Sequence, residues 1–80
     1  MQVKEAVVAR FVQLCKQRGV KPNALATRSG VTPSTVYSML NANRRDISIV
    51  TIKKLCDGLG VSLGAFFAAP EFDALEQELR

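Results

Sequence analysis

Histidine and tryptophan are absent from this chain, cysteine occurs twice, and the aromatics are four phenylalanines and one tyrosine. Without histidine the commonest general acid–base is missing, and without a Cys/His cluster there is no zinc-site spacing. Four acids near the C-terminus, Glu71, Asp73, Glu76 and Glu78, have no second carboxylate set to converge upon. No catalytic residue, metal or cofactor is expected, and the chain does not read as an enzyme. Long hydrophobic runs are also missing. The longest, residues 63–70, falls far short of the roughly 20 apolar residues a membrane-spanning helix needs. Lys4, Glu5 and Arg10 interrupt what would otherwise be a signal-peptide apolar stretch. The expectation is a cytoplasmic protein with no membrane partner. Cys15 and Cys56 have no local partner and fall on apolar helix faces, so they read as reduced core residues.

The 80 residues fit one domain, and their 48% apolar content suffices for a small core. Charge is unevenly placed. Residues 1–69 carry ten Lys or Arg against Glu5, Asp46 and Asp57, whereas residues 70–80 carry four acids and Arg80. A basic body (1–69) with an acidic extension (70–80) suits a polyanion-binding surface remote from the C-terminus, although mild basicity also serves solubility. An 80-residue chain has no room for a ligand-sensing domain, so no small-molecule ligand is expected.

Apolar residues recur at spacings of three and four in several segments, and none alternates with period two. A first helix is predicted over Val3 to Arg18, with Val3, Val7, Phe11, Leu14 and Arg18 on one stripe, widened by Val8, Val12 and Cys15. Lys4, Glu5, Gln13, Lys16 and Gln17 form its wet face, and Gly19 ends it. A second helix is predicted over Pro22 to Ser29, with Leu25 and Ala26 inward. A third runs from Pro33 to Leu40 or Asn41, with Val36, Met39 and Leu40 inward. Ser48 caps a fourth helix over Ile49 to Leu59, ended by Gly60, with Gly58 weakening its last turn. Ser62 caps a short fifth helix with Leu63, Phe66 and Phe67 inward. Pro70 either opens a sixth helix or stops the fifth, and Phe72, Leu75 and Leu79 then either pack on the body or meet another chain.

Residues 21–41 are the most informative stretch. Two short helices meet at Gly30, which can take the positive φ of a sharp exit, and small Ala26 lets the second helix cross close to the first. Thr32 caps the new helix, and Pro33 is tolerated in its first turn. This is a helix-turn-helix, whose second helix can lie in a DNA major groove.

The run Leu25 to Val36, and the run Ser48 to Leu63 with its Leu59-Gly60-Val61-Ser62 link, resemble the phage-repressor type of helix-turn-helix, the Cro/cI or XRE family. The resemblance covers about Arg10 to Phe67. It implies an all-α, five-helix phage-repressor-like DNA-binding domain, with a sixth helix if Pro70 opens one. The implied activity is sequence-specific double-stranded DNA binding by a transcriptional repressor working as a homodimer, through the C-terminal stripe or the fifth helix. A protein-binding module on the same fold, an antitoxin or phage-type adaptor, is the alternative.

The outward face of the third helix comprises Pro33, Ser34, Tyr37, Ser38 and Asn41. By resemblance, Pro33, Ser34 and Ser38 sit where the family reads base edges, and Tyr37 can stack or touch a thymine methyl. The set lacks the Arg, Asn and Gln side chains that make bidentate base contacts. Phosphate contacts look richer. Thr32 and Thr35 can bond backbone oxygens from the first turn. Asn41, Asn43, Arg44 and Arg45 follow the helix where the family commonly clamps the DNA backbone. Lys21 stands where the family often carries a phosphate-anchoring Gln; Arg28 is a weaker candidate, and Lys53 and Lys54 read as plain surface. Family members often pair a buried Arg with a Glu. The corresponding positions here are Cys15 and Leu40, an apolar pair free of the desolvation cost of buried charges.

Overall fold

A computed structural model describes residues 2–41 and 46–77. They form helices α1 (Val3–Gln17), α2 (Pro22–Arg28), α3 (Pro33–Leu40), α4 (Ile49–Leu59), α5 (Leu63–Phe67) and α6 (Pro70–Asp73), with no strand among the described residues. The protein is all-α, as the spacing of its apolar residues predicts. One core gathers the inward stripes. Phe11, Leu14 and Cys15 of α1 meet Leu25 and Ala26 of α2, Val36 and Met39 of α3, Ile52, Leu55, Cys56 and Leu59 of α4, and Phe66 of α5.

Local chemistry accounts for most helix boundaries. The Thr32, Ser48 and Ser62 hydroxyls accept hydrogen bonds from the backbone N–H groups of Thr35, Val50 and Ala65. Helices α1, α2 and α4 close with the same pair of backbone bonds. At α2 the Gly30 N–H donates to Thr27 O (3.3 Å) and the Val31 N–H to Ala26 O (2.9 Å), which requires the positive φ of 72° at Gly30. The dipeptides Gly19-Val20 and Gly60-Val61 repeat this arrangement at α1 and α4, and the valine each time packs on or within the core.

The other two well-seated C-termini have no such glycine. Both are closed by cations from α1. The Arg10 guanidinium donates from Nε to Phe66 O (2.8 Å) and from Nη2 to Ala65 O (2.9 Å) at the end of α5. The Lys4 ammonium donates to Asn41 O and, at 3.5 Å, to Ser38 O at the end of α3.

Lys4 therefore does not belong to a wet face. It is buried, because its stem crosses from α1 to the carbonyls ending α3. Two ends of the expected α1 stripe are also corrected. Val3 and Arg18 are exposed, since the terminal turns run past the core, while Ala6, outside that stripe, is fully buried. Leu40 is 44% exposed rather than inward, because the buried arc of α3 runs through Val36 and Met39 toward half-buried Thr35 and Ser38 and leaves Leu40 on its other flank. The apolar pairing of Cys15 with Leu40 consequently does not form in the core, where only Cys15 is buried.

The C-terminal stripe is not a continuous helical face. α6 is a single turn, and residues 75–77 are not helical; Leu79 lies outside the described residues. Phe72 joins an aromatic cluster on the body, with ring centroids 4.9 Å from Phe67 and 6.3 Å from Phe66. One short turn gains little from its own hydrogen bonds, so the packing of Phe72 holds the segment.

Gly58 has a role that helix propensity does not describe. A Cβ built at Gly58 would lie 1.9 Å from Ser29 Oγ and 3.0 Å from Leu25 Cδ1. At this glycine α4 and the end of α2 lie too close for a side chain, and α3 follows α2 across the turn at Gly30.

Candidate nucleic-acid interface

Thr32, in extended backbone (φ −74°, ψ 152°), starts α3, and Pro33 occupies its first turn without losing a helical hydrogen bond. Val36 and Met39 anchor the helix inward. Pro33, Ser34 and Tyr37 are exposed, Tyr37 to 71%. Ser38 is half-buried, with its carbonyl turned toward Lys4. The structure thus brings Pro33, Ser34 and Tyr37 to the outer face and leaves Ser38 at its edge.

Three hydroxyls meet at the N-terminus of α3. Thr32 Oγ1 lies 3.1 Å from Ser34 Oγ and 2.9 Å from Thr35 Oγ1, and it accepts from the Thr35 N–H at 3.3 Å. The cluster sits at the positive end of the helix dipole, where the first N–H groups lack helical partners, and hydroxyl and dipole together favour an anion there. Thr35 is half-buried, Thr32 exposed. Because Ser34 shares Thr32 Oγ1 with Thr35, its hydroxyl is partly committed within the chain.

Lys21 is exposed at the N-cap of α2, and its side chain makes no capping bond. Asn41 is half-buried at the end of α3 and passes the chain toward residues 42–45. Asn43, Arg44 and Arg45 lie outside the described residues. Arg28 is exposed at the end of α2. Lys53 forms an exposed ion pair with Asp57 one turn along α4, which fits its reading as plain surface.

Sequence reasoning missed Lys4 as the residue that seats the end of α3. A signal was present: a lysine in the first turn of a helix opposes the helix dipole and calls for a distant partner. Both thiols are buried, and burial pushes the Cys15 and Cys56 pKa values up; for Cys56, Lys53 opposes that rise and Asp57 adds to it. Among the described residues there is no group of three or more His, Cys, Asp or Glu able to hold a metal, and no helix long and apolar enough to cross a membrane.

No curated protein shows significant similarity to the chain. A solved structure does: the crystal structure of the prophage Lp1 protein 11 superposes with a TM-score of 0.84 at 32% sequence identity, covering 91% of this chain and 97% of that one. The helix-turn-helix family model matches residues 12–66, a span that includes α2, α3, α4 and most of α5. On this match and this architecture, the chain belongs to the helix-turn-helix family of DNA-binding regulators.

Proposed function

We propose that this protein is a sequence-specific double-stranded DNA-binding transcriptional repressor that inserts α3 into the major groove. The carrying observation is the outer face of α3. Pro33, Ser34 and Tyr37 stand exposed beside a three-hydroxyl cluster at the positive end of the helix. Pro33, Ser34, Tyr37 and Ser38 touch base edges, while Lys21, Thr32, Thr35, Asn41, Asn43, Arg44 and Arg45 hold phosphates. Serines give single, ambiguous hydrogen bonds, so DNA shape carries much of the selectivity. The protein acts in the cytoplasm as a homodimer, since two copies of α3 about 34 Å apart double a weak reading set. Phe72 packs against its own chain, which leaves α5 and the rest of the C-terminal segment as the dimer surface.

Selection of bound sequences from a random duplex library tests this reading, and a two-fold symmetric site is the expected result. Arg44→Ala and Arg45→Ala should then weaken binding to all duplexes and flatten the salt slope by about one unit per lost phosphate contact. Ser34→Ala and Ser38→Ala should instead change preference at particular base pairs, by about 1 kcal/mol or less. Serine variants with every base preference intact, beside an arginine variant that alters one, would move direct readout to residues 44 and 45. A protein-binding module on the same fold is favoured by the exposed Tyr37, Leu40, Ile49 and Val50. No duplex binding even at low salt would select it.

A further inference from the structure

Lys4 is the only buried charged side chain among the described residues, at 9% exposure. It occupies the second position of α1, in the first turn, whose N–H groups lack partners within the helix ladder and where a cation is disfavoured. A buried ammonium in such a place needs compensating acceptors. It finds them 34 and 37 residues along the chain, at the carbonyls of Ser38 and Asn41.

The end of α3 needs a donor as much as Lys4 needs acceptors. No positive-φ glycine closes this helix, and Asn41 leaves it extended (φ −77°, ψ 118°). The Asn41 N–H reaches Ser38 O at 3.3 Å, and the ammonium supplies the Asn41 carbonyl with a charge-assisted bond.

We propose that Lys4 is a positioning residue for DNA binding. Its ammonium fixes the C-terminal end of α3 at Ser38 and Asn41, and so sets the seat of the groove-facing helix. The inference rests on the DNA-binding reading above. Lys4 is too buried to hold a phosphate itself, so its effect on DNA passes through α3. Arg10 provides an internal control, because it closes the end of α5 by the same chemistry, away from the groove-facing helix.

The test compares Lys4→Met, Lys4→Arg and Arg10→Met in the full chain. The duplex is one selected by the wild type, titrated over a salt series at a temperature where denaturation curves show every variant folded. Lys4→Met should bind about tenfold more weakly, with a salt slope flatter by about one unit. Lys4→Arg should recover most of both, and Arg10→Met should lose stability while binding as the wild type does. A folded Lys4→Met with wild-type affinity and slope overturns the proposal, as does an equal loss in Arg10→Met. If Lys4→Met does not fold, Lys4→Gln, which keeps a donor without the charge, takes its place under the same criteria. If the wild type binds no duplex, the DNA reading fails and Lys4 is judged by amide NMR of the free protein. Removing the ammonium should then shift the signals of residues 39–46 and speed exchange at the Asn41 N–H, while α2 stays unmoved; unshifted signals overturn the positioning role.

Discussion

Gly58→Ala separates two physical effects that oppose one another. Alanine in place of a helical glycine gains at most about 1 kcal/mol from backbone entropy, and less near a helix end. Position 58 is the penultimate residue of α4, so that gain is reduced. Against it stands a Cβ placed 1.9 Å from Ser29 Oγ, 3.1 Å from Ser29 Cβ and 3.0 Å from Leu25 Cδ1. Rotation of Ser29 can relieve the first overlap. It cannot relieve the others, and Leu25 is fully buried with little room to move. Overpacking of this kind costs about 1–3 kcal/mol, so the net expectation is a loss of about 1–2 kcal/mol. Urea denaturation should show a lower midpoint at unchanged slope, and thermal melting should fall by about 4–8 °C per kcal/mol for a domain this size. The Ser29 hydroxyl is buried without a hydrogen-bond partner among the described residues. Ser29→Ala alone should therefore be neutral or stabilising, by about 1 kcal/mol at most, because it removes an unpaired buried hydroxyl. In the double variant no hydroxyl has to rotate away, so the two changes should couple favourably by about 1 kcal/mol or less, the cost of that rotation. A stabilised Gly58→Ala would refute the argument that α2 and α4 meet at this glycine.

Three further outcomes are expected. Thr32→Ala should destabilise by about 1 kcal/mol in urea denaturation, because it removes the acceptor of the Thr35 N–H and the centre of the hydroxyl cluster; an unchanged midpoint would show that water replaces the cap. Burial raises the pKa of Cys15 and Cys56 above the ordinary 9.0, so the folded state holds those protons more tightly than the unfolded chain. That contribution to stability is full below pH 9 and declines as pH rises above it, which denaturation at increasing pH measures. Alkylation of both thiols should likewise be slow until denaturant is added, and fast labelling of the native protein would contradict their burial.

Much of the fold is legible in the residues themselves. The bounds of α4 follow from Ser48, the Ile52-Leu55-Cys56-Leu59 stripe and Gly60, because capping and left-handed exits act within four or five residues and do not depend on the rest of the molecule. The turn between α2 and α3 is equally local. So is the candidate reading face, since placing Val36 and Met39 inward leaves Pro33, Ser34 and Tyr37 outside. The amino-acid sequence by itself therefore determined the helix order, the turn at Gly30 and the exposure of Pro33, Ser34 and Tyr37 on α3.

The tertiary structure alone decided what depends on groups far apart in the chain. Periodicity assigns Lys4 to solvent, and only the arrival of the end of α3 beside α1 turns it into a buried donor. It assigns Leu40 to the core, but packing turns the buried arc of α3 toward Met39, Thr35 and Ser38 and leaves Leu40 outside it. Propensity reads Gly58 as a weak point, whereas the approach of Ser29 makes it a contact no side chain can enter. Phe72 looks available to another chain until Phe67 and Phe66 fold against it. For Lys4 and Gly58 the local rule holds for an isolated helix, and partners tens of residues away set the outcome; for Phe72 the partners lie five and six residues back, across the break between α5 and α6.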